Sequence, residues 1–184
     1  YNMGFAKKAP MKKLHIHIGP HKTASTAIQN SFRANADVLS DELGIEYISG
    51  PHVRSAANGV SLQDYASARR SLIPVQKEIQ HSQRNKFIIS CEDFSGNLLG
   101  RQGCTTIYPS FLQNIEFLSE AFAGITTEFY FFERDPHSWL KSVYSQNVKT
   151  RGQFHSFDHF KQSCEHRFDW QEKISGVQAS FGQS

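Results

Sequence analysis

The chain alternates between short runs of β-branched and aromatic residues and longer segments with apolar residues at helical spacing. The short runs predict strands over 15–18, 45–48, 86–90 and 126–132. The longer segments predict helices over 24–36, 36–43, 61–82 (two helices, or one kinked at Pro74), 110–122, 136–149, 154–160 and 167–181. The segments 51–59 and 96–103 have no apolar period, and we expect loops there. Strands that alternate with helices predict an α/β fold, in which a parallel β-sheet is flanked by helices.

The first predicted strand leads into a loop with the composition of an anion site. Gly19 and Pro20 break the strand, Lys22 follows, and a segment with helical composition begins near Ala24. A glycine allows the backbone to approach an anion closely, and the first N–H groups of a helix have no intrahelical partner. We therefore expect an anion at the start of this helix, with Lys22 supplying positive charge.

The spacing in this loop differs from that of nucleoside triphosphate-binding loops. In those loops the lysine follows the first glycine by about six positions, whereas Lys22 follows Gly19 by three. The run from Gly19 to Thr26 instead resembles the 5′-phosphosulfate-binding loop of sulfotransferases that use 3′-phosphoadenosine 5′-phosphosulfate (PAPS), commonly G-x-x-K-[ST]-G-[ST]-[ST]. Ala24 stands where that family usually has glycine. If this position needs a positive φ, alanine costs roughly 1 kcal/mol there.

A second motif follows the last predicted strand. Arg134 lies at the strand end, Asp135 and Pro136 can start a helix, and Ser142 comes two helical turns later. Arginine can bind a phosphate through two parallel hydrogen bonds, and a serine hydroxyl can add a third. This arrangement resembles the 3′-phosphate-binding motif of the same sulfotransferases.

The resemblance implies a P-loop-like sulfotransferase fold and a sulfuryl transfer from PAPS to a hydroxyl or amine, with adenosine 3′,5′-bisphosphate as the product. It implies that Lys22 stabilises charge on the leaving phosphate and that no metal is required. The residues implied to bind the donor are Gly19, Lys22, Thr23, Ala24, Ser25, Thr26, Arg134 and Ser142.

Two residues are candidates for the general base in this scheme. In relatives the base is either a histidine at the end of the strand between the two motifs or a glutamate from elsewhere. Here that strand ends at Ser90, and Glu92 follows as the first candidate. His21, inside the loop, is the second. His15 and His17 share one strand face, but no third metal ligand at a sensible spacing accompanies them, so a packed pair is expected.

Composition limits the classes of partner. The net charge is +3 from 20 basic and 17 acidic residues, and these basic residues do not cluster as in a nucleic-acid footprint. An anionic ligand in one cleft is the better expectation, with a carbohydrate or small molecule as acceptor. Neither the acceptor nor the oligomeric state can be inferred from the sequence.

The cysteines and the apolar runs indicate the cellular compartment of the protein and whether it spans a membrane. Three widely spaced cysteines match no disulfide framework or zinc pattern, which favours a reducing, cytoplasmic compartment. No apolar window is long enough to span a membrane. We expect a leader or tag over 1–10 and a single domain over 11–184. No strand follows the last predicted helix, so we expect this domain to be incomplete at its C-terminus.

Two other functions remain open. One is a small-molecule kinase that uses ATP and magnesium, with Asp93 organising the metal. The other is a nucleotide-binding domain without catalytic activity. The short Gly19–Lys22 loop argues against the kinase.

Overall fold

The computed structural model describes residues 11–152, 155–164 and 170–181. The predicted leader, Phe154 and the start of the last predicted helix lie outside these ranges. Four strands form the sheet: β1 (Lys13–Gly19), β2 (Ile45–Ile48), β3 (Lys86–Ser90) and β4 (Thr126–Phe131). Eight helices accompany them in the described ranges: α1 (Ser25–Ala34), α2 (Ala36–Asp41), α3 (Pro51–Ser61), α4 (Tyr65–His81), α5 (Phe111–Ala121), α6 (Pro136–Arg151), α7 (Phe157–Ser163) and α8 (Trp170–Phe181).

All pairs of neighbouring strands are parallel, in the order β2-β3-β1-β4. The predicted α/β fold with a parallel sheet flanked by helices is therefore confirmed. β1 lies between β3 and β4, with Lys13 opposite Lys86 on one side and Thr126 on the other. Because parallel strands end at the same edge of a sheet, the segments that follow β1, β3 and β4 lie side by side.

One face of β1 carries the core of the sheet. Leu14 and Ile16 are fully buried, and so are Phe87 and Ile89 on the neighbouring β3. On the opposite face of β1, the Nδ1 atom of His17 lies 2.7 Å from the Ser90 hydroxyl oxygen. Burial lowers the pKa of His17, so this imidazole is held neutral near pH 7. Within the described residues, no group of three or more His, Cys, Asp or Glu side chains could hold a metal ion.

The prediction of a loop over 51–59 is wrong, because this segment forms most of helix α3. Pro51 occupies the first turn of α3, where its missing N–H costs nothing. The buried face of the helix consists mainly of small residues, and a Cβ on Gly59 would lie about 3.0 Å from Ala68 of α4. Alanine and glycine allow two helices to pack closely but give only a weak apolar period, which is why the pattern did not predict this helix.

The segment around Pro74 forms one helix. Of the two alternatives expected there, two separate helices is wrong, since α4 is one helix of 17 residues with Pro74 inside it. Asp64 accepts a hydrogen bond from the Ser67 N–H and so starts α4 later than predicted. In the described part of the chain, no helix is long and apolar enough to cross a membrane.

Candidate functional site

A cavity of about 420 Å³ lies at the carboxyl edge of the sheet, where the loop after β1 meets α6. Eight of the residues singled out from the sequence line it: His21, Lys22, Ala24, Ser25, Thr26, Glu92, Arg134 and Ser142. The two sequence motifs are more than 100 positions apart, so the fold alone brings them to one cavity. Its lining is mostly polar and contains the cationic side chains of Lys22, Arg101 and Arg134.

The loop between β1 and α1 is held by backbone contacts from several elements. Trp139 of α6 donates from Nε1 to the His21 carbonyl at 2.6 Å. Arg134 donates from Nη1 to the Lys22 carbonyl at 2.9 Å. The fully buried Tyr108 hydroxyl accepts from the His21 N–H at 2.9 Å. The loop is therefore preorganised by residues that are distant in sequence.

Helix α1 begins at the cavity and points its free N–H groups towards it. Its first backbone bond runs from the Ile28 N–H to the Ala24 carbonyl at 3.0 Å. The N–H groups of Ser25, Thr26 and Ala27 precede that bond and have no partner in the helix. An anion at this end would receive these donors together with the positive end of the helix dipole.

Ala24 adopts the left-handed conformation, with φ 66° and ψ 20°. This position therefore has the positive φ at which alanine is expected to cost roughly 1 kcal/mol. Lys22 also has a positive φ of 68°. Neither residue is a glycine, so the loop has backbone strain at two positions.

We expect Ala24→Gly to raise the free energy of unfolding by roughly 0.5–1 kcal/mol. Relief of left-handed strain outweighs the larger entropy that glycine loses on folding. Urea denaturation measures the change. The matched control is Ala27→Gly, three residues away inside α1, which should lower stability by up to about 1 kcal/mol. A loss of stability in both variants would contradict the strain at Ala24.

Lys22 of the loop and Ser142 of α6 both line the cavity. The Lys22 ammonium lies 3.3 Å from the Oε1 atom of Gln146, one helical turn beyond Ser142 on α6. Arg134 is exposed at the end of β4, next to the start of α6. The Asp135 carboxylate accepts from the Ser138 N–H at 2.9 Å and starts α6 there. This cap fixes the position of Ser142 relative to Arg134.

Two of the predicted donor-binding residues do not line the cavity. Gly19 has a φ of 108°, and a Cβ there would lie 3.2 Å from the Cβ of Glu92. Its role in the structure is to allow β1 to pass close to the 3₁₀ turn Glu92–Ser95. Thr23 donates its hydroxyl to the Pro20 carbonyl at 2.6 Å, a bond within the loop itself.

The two candidate bases differ in their surroundings. The His21 ring has both nitrogens in hydrogen bonds: Nδ1 lies 2.9 Å from the Tyr108 hydroxyl and Nε2 lies 2.9 Å from Asp93 Oδ1. Glu92 accepts one bond at Oε2, from the Gln29 side-chain amide at 2.8 Å. Glu92 is only partly buried and lines the cavity.

The pKa values in this region follow from burial and hydrogen bonding. Burial tends to raise the pKa of Asp93, but the His21 hydrogen bond and the charges of His21 and Arg101 outweigh it, so the pKa is lowered. Burial raises the pKa of Tyr108 well above its ordinary value. Burial also raises the pKa of Cys91 to about 12, so this thiol stays protonated and is a poor nucleophile.

Sequence reasoning missed two polar residues of the cavity, Arg101 and Gln146. Gln146 lies four residues after Ser142 and therefore on the same helical face, a signal that the sequence contains. Arg101 lies in the glycine-rich segment, which has no apolar period from which the direction of its side chain could be predicted. Asn147 of α6 donates to the Leu99 carbonyl at 3.0 Å and holds this segment against the cavity.

No protein-family model, curated protein or solved structure matches this chain.

Proposed function

We propose that this protein is a sulfotransferase that moves the sulfuryl group of PAPS to an acceptor hydroxyl or amine. The observation that supports this most is the single cavity that joins Lys22 and the start of α1 to Arg134 and Ser142. A donor with phosphate groups at both its 5′ and 3′ positions needs two separate anion sites. The resemblance of both sequence motifs to those of PAPS-dependent enzymes supports the same assignment.

In the proposed complex, the 5′-phosphosulfate lies against the N–H groups of Ser25 and Thr26, beside the Lys22 ammonium. The 3′-phosphate lies against the Arg134 guanidinium and the Ser142 hydroxyl. Transfer forms a bond from the acceptor oxygen to sulfur and breaks the bond from sulfur to the bridging phosphate oxygen. Lys22 and the helix amides stabilise the charge that develops on that oxygen.

The acceptor proton passes to Glu92 in this proposal. Glu92 is preferred over His21 because it is partly exposed and its carboxylate accepts one described hydrogen bond, whereas His21 is buried with both ring nitrogens engaged. Gln29 donates to Oε2 and fixes the orientation of the carboxylate. Asp93, the metal-organising residue of the kinase alternative, is instead hydrogen-bonded to His21.

Calorimetric binding of adenosine 3′,5′-bisphosphate and of ATP with magnesium tests this function. We expect the bisphosphate to bind at least about ten-fold more tightly, because ATP presents no 3′-phosphate to Arg134. Transfer of radiolabelled sulfate from PAPS to an acceptor panel would establish catalysis. Preferential binding of ATP with magnesium would favour the kinase, and bisphosphate binding without transfer to any acceptor would favour a non-catalytic domain.

We expect Arg134→Ala to weaken adenosine 3′,5′-bisphosphate by roughly 10–30-fold, the scale of one charge-assisted hydrogen bond. Arg134 also holds the Lys22 carbonyl, so some loss could come from the loop. Adenosine 5′-monophosphate separates these effects, since it uses the loop but has no 3′-phosphate. Equal losses for both ligands in calorimetry would remove Arg134 from the 3′-phosphate site.

A further inference from the structure

A second polar cavity, of about 230 Å³, adjoins the first at Glu92, which lines both. Side chains from four parts of the fold surround it: Gln29 and Arg33 of α1, Tyr47 of β2, Arg54 of α3, and Cys91 with Glu92 after β3. Gln29 donates to Glu92 at 2.8 Å, so this pair forms the border between the two cavities. A group bound in the second cavity therefore lies next to Glu92, the proposed base.

Two arginines that line this cavity have no carboxylate partner among the residues that the structure describes. In the described ranges, neither Arg33 nor Arg54 forms an ion pair, although Arg33 donates from Nη1 to Asn30 at 2.7 Å. The two carboxylates that line the cavity are hydrogen-bonded to other side chains, Glu92 to Gln29 and Asp93 to His21. Both guanidinium groups are on exposed residues and can meet an anion from solvent.

The Tyr47 hydroxyl adds a hydrogen-bonding group with nothing to bond in the described structure. Its oxygen is enclosed and has no hydrogen-bond partner, while the ring packs on Phe32 at 5.2 Å between centroids. Burial raises the pKa of Tyr47, so the group stays a neutral hydroxyl at ordinary pH. A buried hydroxyl without a partner costs stability.

We propose that the second cavity binds the acceptor and selects an acidic sugar unit, whose carboxylate meets Arg33 and Arg54 while one hydroxyl faces Glu92. This inference rests on the proposed function for its transfer step. In that step, the acceptor O–H oxygen forms the bond to sulfur, and its proton moves to Glu92. The products are a sulfate ester and adenosine 3′,5′-bisphosphate.

Size and chemistry favour a single sugar unit over an apolar acceptor. The cavity is smaller than the roughly 300–1,000 Å³ of sites for drug-sized ligands. Its lining contains an amide, two guanidinium groups, a tyrosine and the carboxylates of Glu92 and Asp93, so it is polar throughout. The apolar cavity of about 510 Å³ between α1 and the sheet is lined by neither Glu92 nor Lys22, so it is not placed to present an acceptor.

Binding of 4-nitrophenyl β-D-glucuronide and of 4-nitrophenyl β-D-glucoside tests the proposal, since the two differ only in a carboxylate and a hydroxymethyl group. Dissociation constants come from NMR titration of the whole chain saturated with adenosine 3′,5′-bisphosphate. We expect the glucuronide to bind at least about ten-fold more tightly, the scale of one charge-assisted hydrogen bond. Equal affinities, a preference for the glucoside, or no binding of either sugar would overturn it.

Variants of the two arginines test whether a preference for the glucuronide comes from this cavity. Arg54→Gln and Arg33→Gln should each reduce the preference for the glucuronide several-fold, without a change in melting temperature. Arg70→Gln is the matched control, since Arg70 is also exposed on a helix and donates to a residue three positions earlier, Ser67. Tyr47→Phe should leave stability equal or higher, because the hydroxyl that it removes is buried without a partner in the described structure. A preference that survives both cavity arginine variants would contradict the site.

The two proposals can fail separately. Glucuronide binding that depends on the arginines, measured with the nucleotide omitted, would support the anion cavity even if PAPS transferred no sulfate. Sulfate transfer with no preference between the two glycosides would leave the proposed function intact and remove the acidic acceptor.

Discussion

The Lys22→Ala variant is expected to transfer sulfate about 10²–10³-fold more slowly than the wild type, the largest effect predicted for a single change. This range is that measured for loss of one preorganised charge stabiliser, about 2.7–4 kcal/mol. The reason lies in the geometry of the loop, where the lysine and the start of α1 meet the same cavity. Steady-state assays with radiolabelled PAPS measure the effect as a fall in kcat.

We do not expect misfolding of the variant to account for such a loss. The Lys22 ammonium contacts Gln146 at 3.3 Å, so its removal breaks one side-chain bond. Alanine and lysine have similar strain at a positive φ, so the backbone cost does not change. We expect an unchanged melting temperature, and no loss of transfer in the control Lys77→Ala on the exposed face of α4. A wild-type rate in Lys22→Ala would refute the role of this residue.

The Glu92→Gln variant is expected to lower kcat by about 100-fold or more, the ordinary contribution of a general base. Glutamine retains an oxygen that can accept from Gln29 but cannot take up the acceptor proton. Affinity for adenosine 3′,5′-bisphosphate should stay within about two-fold of the wild type, because the assigned phosphate groups are bound elsewhere. The combination of lost turnover and retained nucleotide binding is the diagnostic result.

Two comparisons make this prediction specific. Glu42→Gln removes an exposed carboxylate at the end of α2 and should have no effect on transfer. His21→Gln should lower stability as well as activity, since the ring bonds both Tyr108 and Asp93. Full loss of transfer in His21→Gln at an unchanged melting temperature, with Glu92→Gln active, would make His21 the base instead.

The sheet was predictable because its strands carry strong local signals. β2 and β3 have the predicted bounds, and β4 ends one residue earlier than predicted. Runs of β-branched and aromatic residues between turn residues have few alternatives to a strand. Helix α3 lacked such a signal, because small residues that pack closely on α4 are weakly hydrophobic.

The candidate site was predictable where one local segment determines it. The loop from Gly19 to Thr26 and the pair Arg134 and Ser142 could be chosen from spacing, and the fold brings all but Gly19 and Thr23 to one cavity. The second cavity could not be inferred in this way. Arg54 belongs to the helix that was predicted as a loop, and its approach to Arg33 depends on how α3 and α1 pack around β2 and β3.

A crystal structure of the complex with adenosine 3′,5′-bisphosphate tests the central claim most directly. The account predicts the 5′-phosphate within hydrogen-bonding distance of Lys22 and the first N–H groups of α1, with the 3′-phosphate on Arg134 and Ser142. A nucleotide that occupies another surface, or that reaches only one of these two anchors, would contradict it.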